Sequence, residues 1–485
     1  MSDTAFLSAT ELAAGIKQKK FSSVELTQLY IDRIEQLDGD INAVVVRIFD
    51  RAMADAKAAD EALARGEDLG PLHGVPMTIK ESYVIEGTPV TFGLEAFRNN
   101  IAKKDGLAVS RFRSAGAHFI GKTNVPVNLA DFQSYNPVYG VTGNPWNTGR
   151  TPGGSSGGSA AALAAGFTGL EAGSDIGGSI RNPAHFCGVF GHKPTWGIVP
   201  MQGHELVEGL PDVDLAVCGP LARSAEDLAV ALNTMAGPIE REAVGWKLDL
   251  PAPDFQSLKE LRVAIWPTDE VAPVSNEVAD RATSVGETLA KLGATVSDTA
   301  RPDFDVHKAH VAYQSLLNSV MSAGMSDAEF ERARALSEAM DPNDMSDRAV
   351  VSRGMVLTHR HWVRYNNERE RLRHAWVEFF KDWDILVCPQ MALPAFPHDH
   401  SQFSQRTVSI NGDDQYYFTQ LFWAGLITNP YLPSTVFPTG PSPSEGLPIG
   451  LQAVSAPYRD YRTIEFTRLL AKEIGGFVPP PALAG

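Results

Sequence analysis

Thr151-Pro152-Gly153-Gly154-Ser155-Ser156-Gly157-Gly158-Ser159, then a small-residue run Ala160 to Gly166, then Gly173-Ser174-Asp175-Ile176-Gly177-Gly178-Ser179-Ile180-Arg181 form the densest signal in the chain. Glycine at this density lets the backbone turn sharply and approach a ligand closely, and the interleaved serines set hydroxyls on those turns. A Gly/Ser tract can also be a flexible linker. Apolar runs close on either side argue against that and for an ordered, chemically active segment.

Two familiar motifs overlap this region, and neither survives its own requirements. Gly116-Ala117-His118-Phe119-Ile120-Gly121-Lys122-Thr123 fits GxxxxGK(S/T) letter by letter, but a phosphate cradle needs a flexible glycine-rich loop. Here the intervening residues read as a strand, which disfavours a nucleotide-binding protein. Ser155 and Ser156 each fit GxSxG, the nucleophile elbow, which needs a strand before it and a later acid and histidine. Asn144 to Arg150 reads as a loop instead, and the candidate histidines, His398 and His400, lie in a polar stretch.

From Gly153 to Arg181, and on through Pro183-Ala184, Gly188 and Gly191-His192-Lys193-Pro194-Thr195, the sequence closely resembles the amidase signature family. Gly74-Val75-Pro76-Met77-Thr78-Ile79-Lys80 resembles that family's upstream strand, which ends in a lysine. Weaker similarity covers most of the chain, including Asn429-Pro430 to Gly450. The resemblance implies a Ser-Ser-Lys triad: Ser179 as nucleophile, Ser155 as bridging serine after a cis peptide, and Lys80 as base. A serine hydroxyl needs a neighbouring base to become a nucleophile. A lysine can serve only when neutral, and burial lowers its pKa toward that state. The backbone amides of Ile176, Gly177 and Gly178 are expected to form the oxyanion hole.

Around this centre, Asp175 and Arg181 are expected to pair and hold the turn, with Ser156 and Ser159 as supporting hydrogen-bonders. His185 and His192 read as structural, and Glu81 stands where relatives often carry Asp. Phe132, Tyr135, Phe422 and Trp423 are the candidate pocket aromatics. One branch of the family is the glutaminase component of the tRNA-dependent amidotransferase. Thr123 to Asn136 lacks the Met, acidic and Gly-rich stretch typical of that branch. The resemblance therefore implies a stand-alone hydrolase of small amides, anilides or carbamates. The alternative is the glutaminase component of a tRNA-dependent amidotransferase.

The expected fold is α/β: a large, mixed, mostly parallel central sheet covered by helices on both faces. Leu107–Ala115 reads as a helix stopped by Gly116, with Ala117–Ile120 as a strand. Asn276–Leu292, Gly293 and Ala294–Val296 repeat the design. Such alternation of helix and strand points to a layered α/β sheet. Further strands are expected at 75–80, 261–266, 385–388, 435–437 and 449–454. Ser22 and Glu25 form a capping box before an apolar helical face. One domain, 1–485, is expected, in four parts: helical 1–65, signature core 66–236, a connection and helical insertion 237–382, and a C-terminal part of the sheet 383–485. The charged helical region 304–382 reads as a solvated face.

The bulk properties fit. With 42 basic and 58 acidic residues the net charge is −16, which disfavours phosphate backbones and anionic lipid. Cys187, Cys218 and Cys388 show no metal or disulfide spacing and read as buried, inert thiols. There is no basic-then-apolar leader and no run of about 18 apolar residues, so the expected location is the cytoplasm. No cofactor and no metal are expected. The expected partners are a small-molecule amide and at most a second copy of the chain in a homodimer, with no nucleic acid and no membrane.

Overall fold

The computed structural model describes residues 2–484. Three strands, β1 (Val44–Arg47), β2 (Pro76–Lys80) and β3 (His118–Thr123), make a small sheet in the order β1-β3-β2. The helix before β3 spans Leu107–Ser114 and ends at Gly116, whose φ of +93° suits glycine. A short ladder follows, β4 (Tyr135–Asn136) with β5 (Gly140–Val141).

The large sheet takes β6 (Glu171–Asp175), β7 (Phe190–Lys193), β8 (Val217–Ala222), β9 (Arg262–Ile265), β10 (Thr295–Ser297) and β11 (Ile385–Pro389). After a hairpin, β12 (Thr407–Ile410) with β13 (Asp413–Tyr416), it is completed by β14 (Ser434–Pro441) and β15 (Pro448–Val454). The order is β10-β9-β11-β15-β14-β7-β8-β6. The α/β class and the large mixed sheet match the expectation. The expected parallel majority does not hold: β10·β9 and β9·β11 are parallel, and the other five neighbour pairs are antiparallel. The reason lies in the connections. A parallel return needs a long crossover, and helix Asn276–Lys291 supplies one between β9 and β10. β14 and β15 are joined by a tight turn, and β7 leads into β8 without a helix, so both pairs run antiparallel.

β6 is the edge strand that meets the small sheet. Thr78 Oγ1 donates to Glu171 Oε1 at 2.5 Å, and Thr78 N–H donates to Thr168 Oγ1 at 2.8 Å. The small-residue run forms helix Gly157–Ala164, every residue of it buried. The capping box at Ser22 is present, with Glu25 N–H donating to Ser22 Oγ at 3.0 Å and Ser22 N–H to Glu25 Oε2 at 2.7 Å. Cys187, Cys218 and Cys388 are buried free thiols. Among the described residues no helix is long and apolar enough to cross a membrane.

Candidate active site

Lys80 ends β2 and is fully buried. Its Nζ donates to Ser155 Oγ at 2.6 Å and to Ser174 Oγ at 2.9 Å. Burial disfavours the ammonium and brings Lys80 down to about 7, although Cys218, Asp175 and Glu171 pull the other way. Glu171 is also fully buried, and burial raises its carboxyl to about 8 despite hydrogen bonds from neighbouring hydroxyls. Near neutral pH this pocket therefore holds a lysine able to give up its proton beside a carboxyl that keeps its own. Nothing in the sequence points to Ser174. It meets Lys80 because β6 lies against the end of β2, a placement visible only once 171–175 is known to be a strand.

Ser155 follows a cis peptide from Gly154. Gly154 N–H donates to Asn182 Oδ1 at 3.0 Å. A Cβ on Gly154 would collide with the Asp131 carbonyl oxygen, so the backbone at 131–133 can pack here only against glycine. Ser156 N–H donates to the Ser179 carbonyl at 3.0 Å, and its Oγ donates to the Ser174 carbonyl at 3.3 Å. This ties the Ser155 loop to the Ser179 turn and to β6 at once. Ser159 Oγ lies 2.9 Å from Thr123 Oγ1. Exposure rises from Lys80 (0%) through Ser155 (1%) to Ser179 (8%), so Ser179 is the most accessible of the three.

The turn at 176–179 is organised by Asp175. Its carboxylate accepts from Gly178 N–H at 2.8 Å, Ile180 N–H at 3.1 Å and Arg181 Nε at 3.0 Å. Burial alone would raise this carboxyl; the Arg181 guanidinium, itself fully buried, brings it down to about 2. Arg181 also donates to Gln452 Oε1 at 3.0 Å and Thr428 Oγ1 at 2.7 Å. This corrects the expected set of amides: the Gly178 N–H is turned inward onto Asp175. The N–H groups of Ile176, Gly177 and Ser179 have no acceptor among the described residues.

The pocket aromatics divide. Phe132 packs against Tyr417 and Phe418, with centroids 5.4 and 6.5 Å away, and its backbone abuts Gly154. Tyr135 Oη accepts from Arg406 Nη2 at 2.8 Å, and its ring stacks on His400 at 3.8 Å. Arg406 and Tyr417 flank the β12–β13 hairpin and both bind the Asp131 carboxylate, at 2.7 and 2.5 Å. Phe422 and Trp423 are core residues, not pocket walls. Trp423 is 0% exposed, stands edge-on to Trp266 and donates to the Ala272 carbonyl at 3.2 Å; Phe422 faces His310. Helical phase is the reason. Residues three and four apart share a face, and on helix Phe422–Thr428 the face toward the turn carries Ala424 and Thr428, with Leu421 just before it. Leu421 packs over Gly177 and Ala424 over Gly178.

Gln390 and Tyr313 also surround the turn, and the sequence offers no signal for either. The Gln390 carboxamide is buried over Gly178 with no hydrogen-bond partner among the described residues. Tyr313 Oη donates to the Ile176 carbonyl at 2.9 Å. Other residues take structural places. His185 Nδ1 meets Gly450 at the backbone, His192 bridges Thr435 and Asp460, and Glu81 accepts from the Thr91 and Phe92 amides at 2.7 and 3.0 Å. Lys122 lies inside β3, buried, with Nζ on the Pro89 carbonyl, so it reaches no phosphate. Among the described residues no group of three or more His, Cys, Asp or Glu is placed to hold a metal ion.

A family model described as "Amidase" matches residues 25–464. The chain is also similar to the glutamyl-tRNA(Gln) amidotransferase GatA-type chain of Methylococcus capsulatus, with 32% identity over 478 residues and 94% of each chain covered. It is 31% identical over 476 residues to the indoleacetamide hydrolase of Bradyrhizobium diazoefficiens, covering 96% of this chain and 86% of that one. Among solved structures, 6-aminohexanoate cyclic dimer hydrolase in complex with substrate superposes with a TM-score of 0.78 at 26% identity over 99% of both chains.

Proposed function

The chain belongs to the amidase family, and from that premise we propose that it hydrolyses a small amide through Lys80, Ser155 and Ser179. The carrying observation is the 2.6 Å contact from Lys80 Nζ to Ser155 Oγ, made by a lysine that burial brings to about 7. In this reading neutral Lys80 takes the Ser155 proton while Ser155 takes that of Ser179, so the Ser179 Oγ attacks the amide carbonyl. The unpaired N–H groups of Ile176, Gly177 and Ser179 receive the oxyanion, each worth about 3 kcal/mol of barrier. The relay then runs backward to protonate the departing amine, and water releases the acyl group from Ser179.

The substrate class is a small acylamide or anilide, with carbamates in the same test. Leu421 and Ala424 over the turn and Phe132 beside Ser155 support an apolar acyl or aryl group. The charged groups nearby, Asp175 with Arg181 and Asp131 with Arg406, are buried and already paired. A second reading, a glutaminase that works only with partner chains, is favoured by the likeness to the Methylococcus protein. One panel separates the two: purified chain assayed against anilides, primary amides, carbamates, esters and glutamine. Amine release from an anilide by the chain alone, lost in Ser179→Ala and Lys80→Ala, is the expected result. Wild-type turnover by Ser179→Ala would end the mechanism. Turnover of glutamine only in the presence of partner chains would replace the first reading by the second.

A further inference from the structure

Helix Val306–Met321 belongs to the region whose sequence reads as a solvated face, yet it is buried from Ala309 to Asn318. It delivers Tyr313, fully buried, to the Ser179 turn. The Tyr313 hydroxyl donates to the carbonyl of Ile176 at 2.9 Å. In a planar trans peptide the C=O and the following N–H point in opposite directions. Anchoring the Ile176 oxygen therefore aims the Gly177 N–H away from Tyr313, and that N–H has no acceptor among the described residues. The other groups of the turn are held differently: Gly178 N–H by Asp175 at 2.8 Å, and the Ser179 carbonyl by Ser156 N–H at 3.0 Å. With glycine at 177 and 178, the peptide between Ile176 and Gly177 would rotate easily without an anchor.

A second observation points to the same ring. Gly425 sits inside helix Phe422–Thr428, where glycine is unfavourable by about 0.5–1 kcal/mol relative to alanine. A Cβ there would collide with Cδ1 and Cε1 of Tyr313. Glycine at 425 is what makes room for the tyrosine. Burial also holds the phenol above its ordinary pKa, so the hydroxyl remains a donor.

We propose that Tyr313 is a positioning residue for the oxyanion-binding turn: by holding the Ile176 carbonyl it points the Gly177 N–H at the oxygen on which charge develops. This rests on the reading of Ser179 as nucleophile. Tyr313 touches no reacting atom, and its effect passes through one peptide plane.

Because the natural amide is not needed, the test uses a fluorophosphonate. The Ser179 Oγ forms a bond to phosphorus, the P–F bond breaks, fluoride leaves, the serine proton passes to the base, and the phosphoryl oxygen takes the oxyanion position. Labelling rates are compared for wild type, Ser179→Ala, Tyr313→Phe, Gly425→Ala and the Tyr313→Phe/Gly425→Ala double variant, with a thermal melt for each. Ser179→Ala should not label. Tyr313→Phe and Gly425→Ala should each label at least about tenfold more slowly, since loosening a donor costs less than the 10²–10³ of removing one. The double variant should be no slower than the slower single one, because both act on the same contact. On an anilide the loss should fall on kcat, with KM within about twofold, as for a contact that matters in the transition state. Labelling of Tyr313→Phe within about twofold of wild type overturns the inference, as do losses that multiply in the double variant. If Gly425→Ala does not fold, Tyr313→Phe decides alone. Labelling of Ser179→Ala at the wild-type rate overturns the nucleophile itself, a different failure read in the same experiment.

Discussion

Lys80→Met replaces an amine that is completely buried in the fold and brought down to about 7. In the unfolded chain a lysine holds its proton up to about pH 10.4. Between those values the unfolded state binds the extra proton, so native stability rises with pH across that window. From the two pKa values, the native state carries a cost of about 4 kcal/mol at pH 7, falling to about 2 kcal/mol at pH 9. The methionine variant carries no such cost. It does leave the Ser155 and Ser174 hydroxyls without their lysine partner, a pH-independent loss of about 1–3 kcal/mol. The informative quantity is thus the stability difference between wild type and variant, which should move by about 2 kcal/mol in favour of wild type from pH 7 to pH 9. Lys122 and Lys193, buried and brought to about 8 and about 7, titrate in both proteins and cancel. Urea unfolding followed by tryptophan fluorescence at the two pH values gives the number. A difference that stays constant would mean that Lys80 keeps its ordinary charge in the fold, and a charged lysine cannot be the base.

The same ionisation governs rate: kcat/KM should rise with pH through about 7 as Lys80 loses its proton, and a profile already flat at pH 5 would reject lysine as base. Asp175→Asn strips the buried Arg181 of its charge partner; a loss of about 3–5 kcal/mol is expected from the urea midpoint, and a loss below about 1 kcal/mol would show that the pair does not hold the turn. Trp423→Ala should cost about 3–5 kcal/mol as a core cavity while leaving KM for an anilide unchanged; a raised KM without destabilisation would restore Trp423 to the pocket.

Much of the molecule is readable because its signals are local. The two helix-glycine-strand units are visible because a helix end demands a left-handed residue, and Gly116 and Gly293 supply it with φ of +93° and +94°. The Gly/Ser block is visible because close backbone approach leaves no room for a side chain at Gly154. β6 is not readable as a strand: Glu171-Ala172-Gly173-Ser174-Asp175 has little of the β-branched and aromatic content that marks one. Its strand character comes from pairing with β8 and burial against β2. That gap hides Ser174 and overstates the parallel share of the sheet.

The sequence by itself determined which residues can do the chemistry: a serine behind two glycines at 177 and 178, a second serine at 155, and a lysine closing an apolar strand at 80. Residue type and spacing carry that information because each requirement acts over a few neighbouring residues. The tertiary structure alone decided what makes them work. The state of Lys80 depends on burial between two sheets, the inward turn of Gly178 N–H depends on Asp175, and the face that helix Phe422–Thr428 shows the turn depends on its rotation. Tyr313 reaches Ile176 across 137 residues of chain. Such contacts leave no local pattern, since packing can be satisfied by many side chains, and only the assembled fold selects which one arrives.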